Sequence, residues 1–274
     1  MDAIIADYGL LIGALVACGL FSGLVAGLFG IGGGAVIVPV LIILFESLGF
    51  DSTASHAAIA TSLATIILTS WRSVMAHHKL GAVDWTIVRA WAPWIMLGAI
   101  LGQLVAGQLS ANVLKGIFSL LAFGLAAQLF FGRPGWRLGT QMPSGAARAG
   151  LGTGIGGLSA IMGIGGGTLG VSLMTIFGRP IHRAVATAAG FGIAIGLPSA
   201  VTAVLTGWGV EGRPPFSLGY VNLVAFGLIS AFTVIMAPVG ATLAHRLDAA
   251  LLKKMFAVLL TIVAMQLGLD AIGG

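Results

Sequence analysis

The chain has 274 residues, 58% of them hydrophobic and only 8% charged, with a formal net charge of +5. A soluble domain carries roughly a quarter charged residues, so water is excluded as the solvent for most of this surface. The single cysteine, Cys18, excludes an internal disulfide and any multi-cysteine metal centre.

Repeated apolar stretches of ~20 residues mark an all-α polytopic membrane protein. A closed barrel would alternate with period two in ~10-residue strands, whereas the apolar runs here are continuous. In chain order the predicted segments are 9–29, 34–48, 54–75, 86–109, 112–131, 145–162, 167–178, 182–206, 216–243 and 250–271. The first is flanked by Asp2 and Asp7 rather than by Lys or Arg, and it runs on into a glycine cluster, unlike a secretory signal. The second and seventh are short. At about 1.5 Å per residue they reach roughly two thirds of a ~30 Å hydrocarbon core. Each directly follows the sequence GIGGG, at Gly30 to Gly34 and at Gly163 to Gly167. The clusters therefore either join the arms of re-entrant hairpins or connect a full span to a short tilted one.

The basic residues set an orientation. With Arg72, His77, His78 and Lys79 in the cytoplasm, alternation places all but two of the 13 Lys and Arg, Lys115 and Arg213, on that side. The other side receives Asp2, Asp7, Glu46, Asp51, Glu211 and Asp270, and both termini are predicted external. The cations are thus topology signals in a membrane protein rather than contacts to nucleic acid.

The two halves resemble each other. GLFGIGGG aligns with AIMGIGGG, SHAAIATS with IHRAVATA, and LGAVD with LGYVN. GQLVAGQLSANVLKGIF aligns with GATLAHRLDAALLKKMF, pairing Lys115 with Lys253. Repeats of about 9–131 and 145–271, each with five segments, must enter the membrane from opposite sides. That is an inverted-topology repeat, the plan of many secondary transporters. The halves are read as one transmembrane transporter domain over residues 1–274.

In lipid an unpartnered backbone group costs several kcal/mol, so a glycine break belongs in protein or beside a water-filled cavity. A helix that follows the break offers free N–H groups and a positive dipole end, which attract anions. Gly30, Gly32, Gly33 and Gly34 with Gly163, Gly165, Gly166 and Gly167 are therefore candidate substrate-binding residues, joined by Thr168, Thr61 and Thr187. Gly19, Gly23 and Gly27, and Gly98 with Gly102, have the spacing of helix packing instead. Thr61, Thr65 and Thr69 form a stripe at helical spacing whose hydroxyls are equally suited to bond their own backbone. His56 and His182 begin the third segment of each half and are candidates for proton coupling or substrate contact. No acidic residue lies deep in a segment, which disfavours a carboxylate-based cation site and favours an anionic or neutral substrate. No metal site, cofactor or catalytic constellation is expected, since HExxH, GxSxG and paired intramembrane carboxylates are absent.

The repeated GIGGG with its short following segment, the stretches at His56 and His182, and the LGxVD/N turns together resemble the sulfite exporter TauE/SafE family of bacterial membrane permeases, from Gly9 to Leu269. The resemblance implies an inner-membrane carrier exporting sulfite, organosulfonates or related small anions. The resulting expectation is a secondary transporter working by alternating access, with a proton as the favoured coupling ion and the lipid bilayer as its setting. An anion channel, an uptake permease for a sulfur compound and, with less support, an intramembrane enzyme stay open at this point, as does a homo-oligomer.

Overall fold

The computed structural model describes residues 2–131 and 138–273. Arg133 and Arg137, two of the cations used for orientation, lie outside the described residues, and so does the side chain of Lys253. The described chain forms α1 (Asp2–Phe29), α2 (Gly34–Ser47), α3 (Asp51–Lys79), α4 (Trp85–Ala106) and α5 (Ala111–Phe131) in the first half. The second half forms α6 (Gly145–Met162), α7 (Gly167–Ile176), α8 (Ile181–Thr206), β1 (Ser217–Leu218), β2 (Val221–Asn222), α9 (Leu223–Arg246) and α10 (Ala249–Gly273). Among the described residues six helices, α1, α3, α4, α5, α8 and α9, are long and apolar enough to cross a membrane. The chain is an all-α polytopic membrane protein, as its composition demands.

One predicted boundary moves. The segment expected to start at residue 216 begins with an antiparallel pairing of Ser217 with Asn222 and Leu218 with Val221, and becomes helical only at Leu223. The turn needs Gly219, whose φ is 57°, and a Cβ there would strike the backbone of Val204. Asn222 then caps α9 by accepting a hydrogen bond from the Ala225 N–H at 2.9 Å. Asp84 caps α4 in the same way, accepting from Thr86 and Ile87 at 3.1 and 3.2 Å. The run FSLGYVNLV carries no charge and is apolar at most of its residues, so hydropathy alone merges hairpin and helix.

The principal helix pairs are α1 with α9, α4 with α6, α3 with α8, and α5 with α10. Around them α4 packs on α8, α3 on α9, α2 on α3, and α7 on α8. Exchanging the first five helices with the last five turns each of these pairs into another member of the set or into itself. Small residues make the closest crossings. A Cβ on Gly23 would lie 2.7 Å from the Thr233 Cα on α9, and one on Gly102 would lie 2.7 Å from the Gly157 Cα on α6. Backbones approach this closely only where side chains are small.

Helix ends gather on two faces. On one, Ser55 reaches the Ala111 carbonyl at 3.4 Å and Thr53 reaches that of Gly212 at 2.6 Å. This is called the Glu46 face. On the other, His77 at the end of α3 meets His245 near the end of α9, and the Leu138 N–H donates to Ile176 at the end of α7. This is called the Lys79 face.

Candidate functional site

The glycine clusters end two long helices and start two short ones. Gly30, Gly32 and Gly33 have φ of 68, 74 and 84°, a left-handed path that a residue with a Cβ rarely takes. In the second cluster only Gly163 does so, with φ of 66°. Identical letters therefore trace different backbones, and the two breaks are not conformational copies.

Both breaks sit within the bundle rather than at its ends. A Cβ on Gly32 would lie 2.8 Å from the Ile66 side chain, midway along α3. From there α2 runs back to Ser47 at the Glu46 face, where α3 begins. The second hairpin runs the other way. Gly163 lies against Ile59, nearer the start of α3, and α7 returns to the Lys79 face. Each pair, α1 with α2 and α6 with α7, is thus a long arm and a short return arm. At about 1.5 Å per residue the 14-residue α2 and 10-residue α7 are roughly 21 and 15 Å long, too short to span alone.

The hairpin tips interlock. A Cβ on Gly34 would run into the Gly163 carbonyl and lie 2.9 Å from the Ile164 Cα. A Cβ on Gly167 would run into the Gly30 carbonyl and the Ile31 Cα. The first residue of each short helix therefore rests on the tip of the opposite hairpin. All of Gly30 to Gly34 and Gly163 to Gly167 are buried. Close packing is the state captured here.

One face of α3 serves both tips. The Ser62 hydroxyl donates to the Gly163 carbonyl at 2.8 Å, at the C-terminal end of α6. Ser73 donates to Ala26 at 3.4 Å and the His77 Nε2–H to Gly27 at 3.1 Å, in the last turn of α1. These side chains satisfy carbonyls that the helix ends leave free. Between them the Ser70 hydroxyl, fully buried and without a protein partner, lies 3.1 Å from the position of a Cβ on Gly32. The Thr168 hydroxyl, at the second residue of α7, is likewise buried and unpartnered. The stripe Ser62, Ser70, Ser73 and His77 was missed in the sequence, although its spacing lies on one helix face.

The predicted threonines play a different part. Thr65 and Thr69 donate to Thr61 and Thr65 carbonyls one turn back, and Thr69 also pairs with Thr233 at 2.8 Å. The Thr61 hydroxyl accepts from the Asn222 N–H at 2.9 Å, and the Thr187 hydroxyl accepts from the Asp84 N–H at 3.0 Å. Both hydroxyls thus serve the backbone N–H groups at the starts of α9 and α4.

The histidines also match across the halves. His56 Nε2 lies 3.0 Å from the Leu109 carbonyl, and His182 Nε2 lies 3.3 Å from that of Leu247. His56 stacks on Tyr220 with centroids 5.1 Å apart. Burial pushes the Tyr220 phenol up, and the Arg213 charge opposes that shift. His182 stacks on His245 at 5.9 Å, and His245 Nε2 lies 3.1 Å from His77 Nδ1. Three rings thus form a chain from α8 through α9 to α3, ending at the α1 carbonyl of Gly27.

A polar cavity of about 1020 Å³ opens at the Glu46 face. Glu46, Asp51, His56, Asn112, Lys115 and Asp270 contribute to its lining. Lys115 is buried and ion-paired with Glu46, linking α5 to the end of α2. The sequence placed both residues on this side but gave no sign of their pairing, because they are far apart in the chain.

A family model described as "Sulfite exporter TauE/SafE" matches residues 15–267. A "Probable membrane transporter protein" of Haemophilus influenzae is 36% identical over 259 residues, covering 94% of this chain and 96% of that protein. A protein of the same description from Methanocaldococcus jannaschii is 26% identical over 234 residues, 84% of each chain. No solved structure matches the chain.

Proposed function

The chain belongs to the sulfite exporter TauE/SafE family of membrane transporters, and from that premise we propose that it carries a sulfite- or sulfonate-like anion by alternating access. The observation that carries the reading is the interlocked pair of glycine tips. Each presents the N-terminal end of a short helix, and N-terminal ends bind anions through backbone N–H groups. The unpartnered hydroxyls of Ser70 and Thr168 beside them are further donors.

In the packed state the tips leave no room for a ligand. Transport then requires the two hairpins to part and rejoin, exposing Gly30 to Gly34 and Gly163 to Gly167 to one side at a time. The exchangeable set of helix pairs supports two repeats of about 9–131 and 145–271 in opposite orientation, which is the geometry rocking needs. The Lys79 face is cytoplasmic in this reading, from its excess of Lys and Arg. His56 and His182 serve in proton coupling or substrate contact, a reading supported by their matched places: the Nε2 of each contacts a carbonyl between the fourth and fifth helices of its own half.

The test is flux in proteoliposomes with sulfite, a sulfonate and a control cation. Saturable anion flux that is lost in folded Gly33→Leu and Gly166→Leu supports the glycine site. Flux retained in both variants removes it. Conduction without saturation or exchange would make the protein a channel.

A further inference from the structure

The ion pair between Lys115 and Glu46 stands in an unusual setting. Lys115 is buried, it contributes to the lining of a large cavity, and its partner carboxylate is only partly covered, at 25% exposure. A buried cation requires an anion beside it. Here the anion is Glu46, on the final turn of α2, the same helix whose first residue rests on the opposite hairpin tip. The first turn of α5 supplies Asn112 to the wall and, one turn on, Lys115 itself. His56 lines the same cavity, and its Nδ1 is buried without a protein partner.

We propose that this cavity is a second anion site, in which Lys115 receives a small oxyanion when Glu46 takes up a proton and lets go. The inference rests on the reading of the chain as an anion carrier. Three carboxylates, Glu46, Asp51 and Asp270, face one ammonium in the lining. With His56 neutral the cavity is net negative, so an anion entering alone is repelled. An anion that replaces Glu46 at Lys115 also leaves that carboxylate unpaired beside a like charge, and a proton relieves both costs. Proton and anion therefore raise each other's affinity, as linkage requires of two ligands of one site.

The other titratable groups on the packed helices fall into two sets. Asp51 and His56 on α3 and Asp270 on α10 share the cavity. Arg72, His77, His78 and Lys79 on α3, Lys253 and Lys254 on α10 and Arg148 on α6 lie toward the opposite ends of their helices. α7 has none, and α1 has Asp2 and Asp7 in its first two turns. Glu46 and Lys115 form the contact through which charge at this face reaches α2. Releasing it frees the far end of the helix that carries the first glycine cluster.

The experiment uses ethanesulfonate, whose own charge is constant between pH 6 and 8, with binding read by thermal shift and flux read in proteoliposomes. Wild-type protein should bind it about tenfold more tightly for each pH unit of acidification while one linked proton is taken up. Glu46→Gln should bind at pH 8 as tightly as wild type does at acid pH, with the pH dependence gone. Lys115→Gln should lose binding and Lys115→Arg should keep it. Should either lone-charge variant fail to fold, the paired Glu46→Gln, Lys115→Gln protein buries no lone charge and should fold without binding. Wild-type pH dependence surviving in Glu46→Gln, binding surviving in the paired variant, or flux that follows sodium at fixed pH overturns the site. pH-linked binding with no flux overturns the carrier reading instead. Flux with unchanged pH dependence in Glu46→Gln leaves the carrier reading standing without this site.

Discussion

The hydroxyl of Thr187 accepts the backbone N–H of Asp84 at 3.0 Å, so a helix of the second half holds the residue that caps α4 in the first. Thr61 does the same for Asn222 and α9. A buried N–H stripped of its acceptor costs about 1–3 kcal/mol. Thr187→Val and Thr61→Val should each lower the thermal stability of the purified protein by that order, and Thr→Ser should restore most of it. Unequal losses would mean that the two caps are not equivalent.

Alanine at the hairpin tips tests the interlock. Gly34→Ala and Gly167→Ala place a methyl against backbone of the opposite tip. Overpacking of this kind costs about 1–3 kcal/mol. Gly116→Ala and Gly124→Ala on α5, where a Cβ meets nothing within 4 Å, should cost nothing. Melting temperatures of the four variants in one detergent decide the matter. Tip variants as stable as the α5 pair would show that the hairpins yield easily.

The ring chain on the Lys79 face makes a further prediction. His77→Leu takes a hydrogen-bond partner from the Gly27 carbonyl and from the His245 Nε2. The loss should be about 1–3 kcal/mol, that of buried polar groups left unsatisfied. His245→Gln, whose amide still donates, should be milder. Equal melting temperatures for the two would remove His77 from the support of α1.

Orientation is open to direct labelling. Cys18 is the single cysteine and is 5% exposed, so the background is quiet. With the Lys79 face cytoplasmic, Lys79→Cys should react with an impermeant maleimide only after the cells are opened, and Ser52→Cys should react in intact cells. The reverse pattern would invert the molecule.

The helix plan was legible because hydropathy and glycine both act locally. The starts at Gly34 and Gly167 were read to the residue, since an apolar run must resume where the backbone groups can again pair. The packing glycines were legible from spacing, and Gly23 and Gly102 do lie against α9 and α6. What could not be read depends on distant partners. Nothing near Ser62 in the chain points to the Gly163 carbonyl, and nothing near Glu46 points to Lys115. The threonine stripe drew attention because it is periodic. The serines one position along it face the tips, a distinction that needs the placement of α1 and α6. Two identical pentapeptides also gave no hint that their φ angles differ.

The interlock has a consequence for how the protein is made. Synthesis releases the first hairpin long before the second, because chains emerge from the N-terminus. Until α6 and its tip arrive, Gly34 has no Gly163 and Ile164 to rest on, and the cleft that will receive Gly167 stands open. The first half therefore cannot settle into its final shape alone. Assembly ends with a late docking step between distant stretches of chain. Truncation after α5 should yield an inserted but loosely packed fragment, the natural prey of membrane proteases.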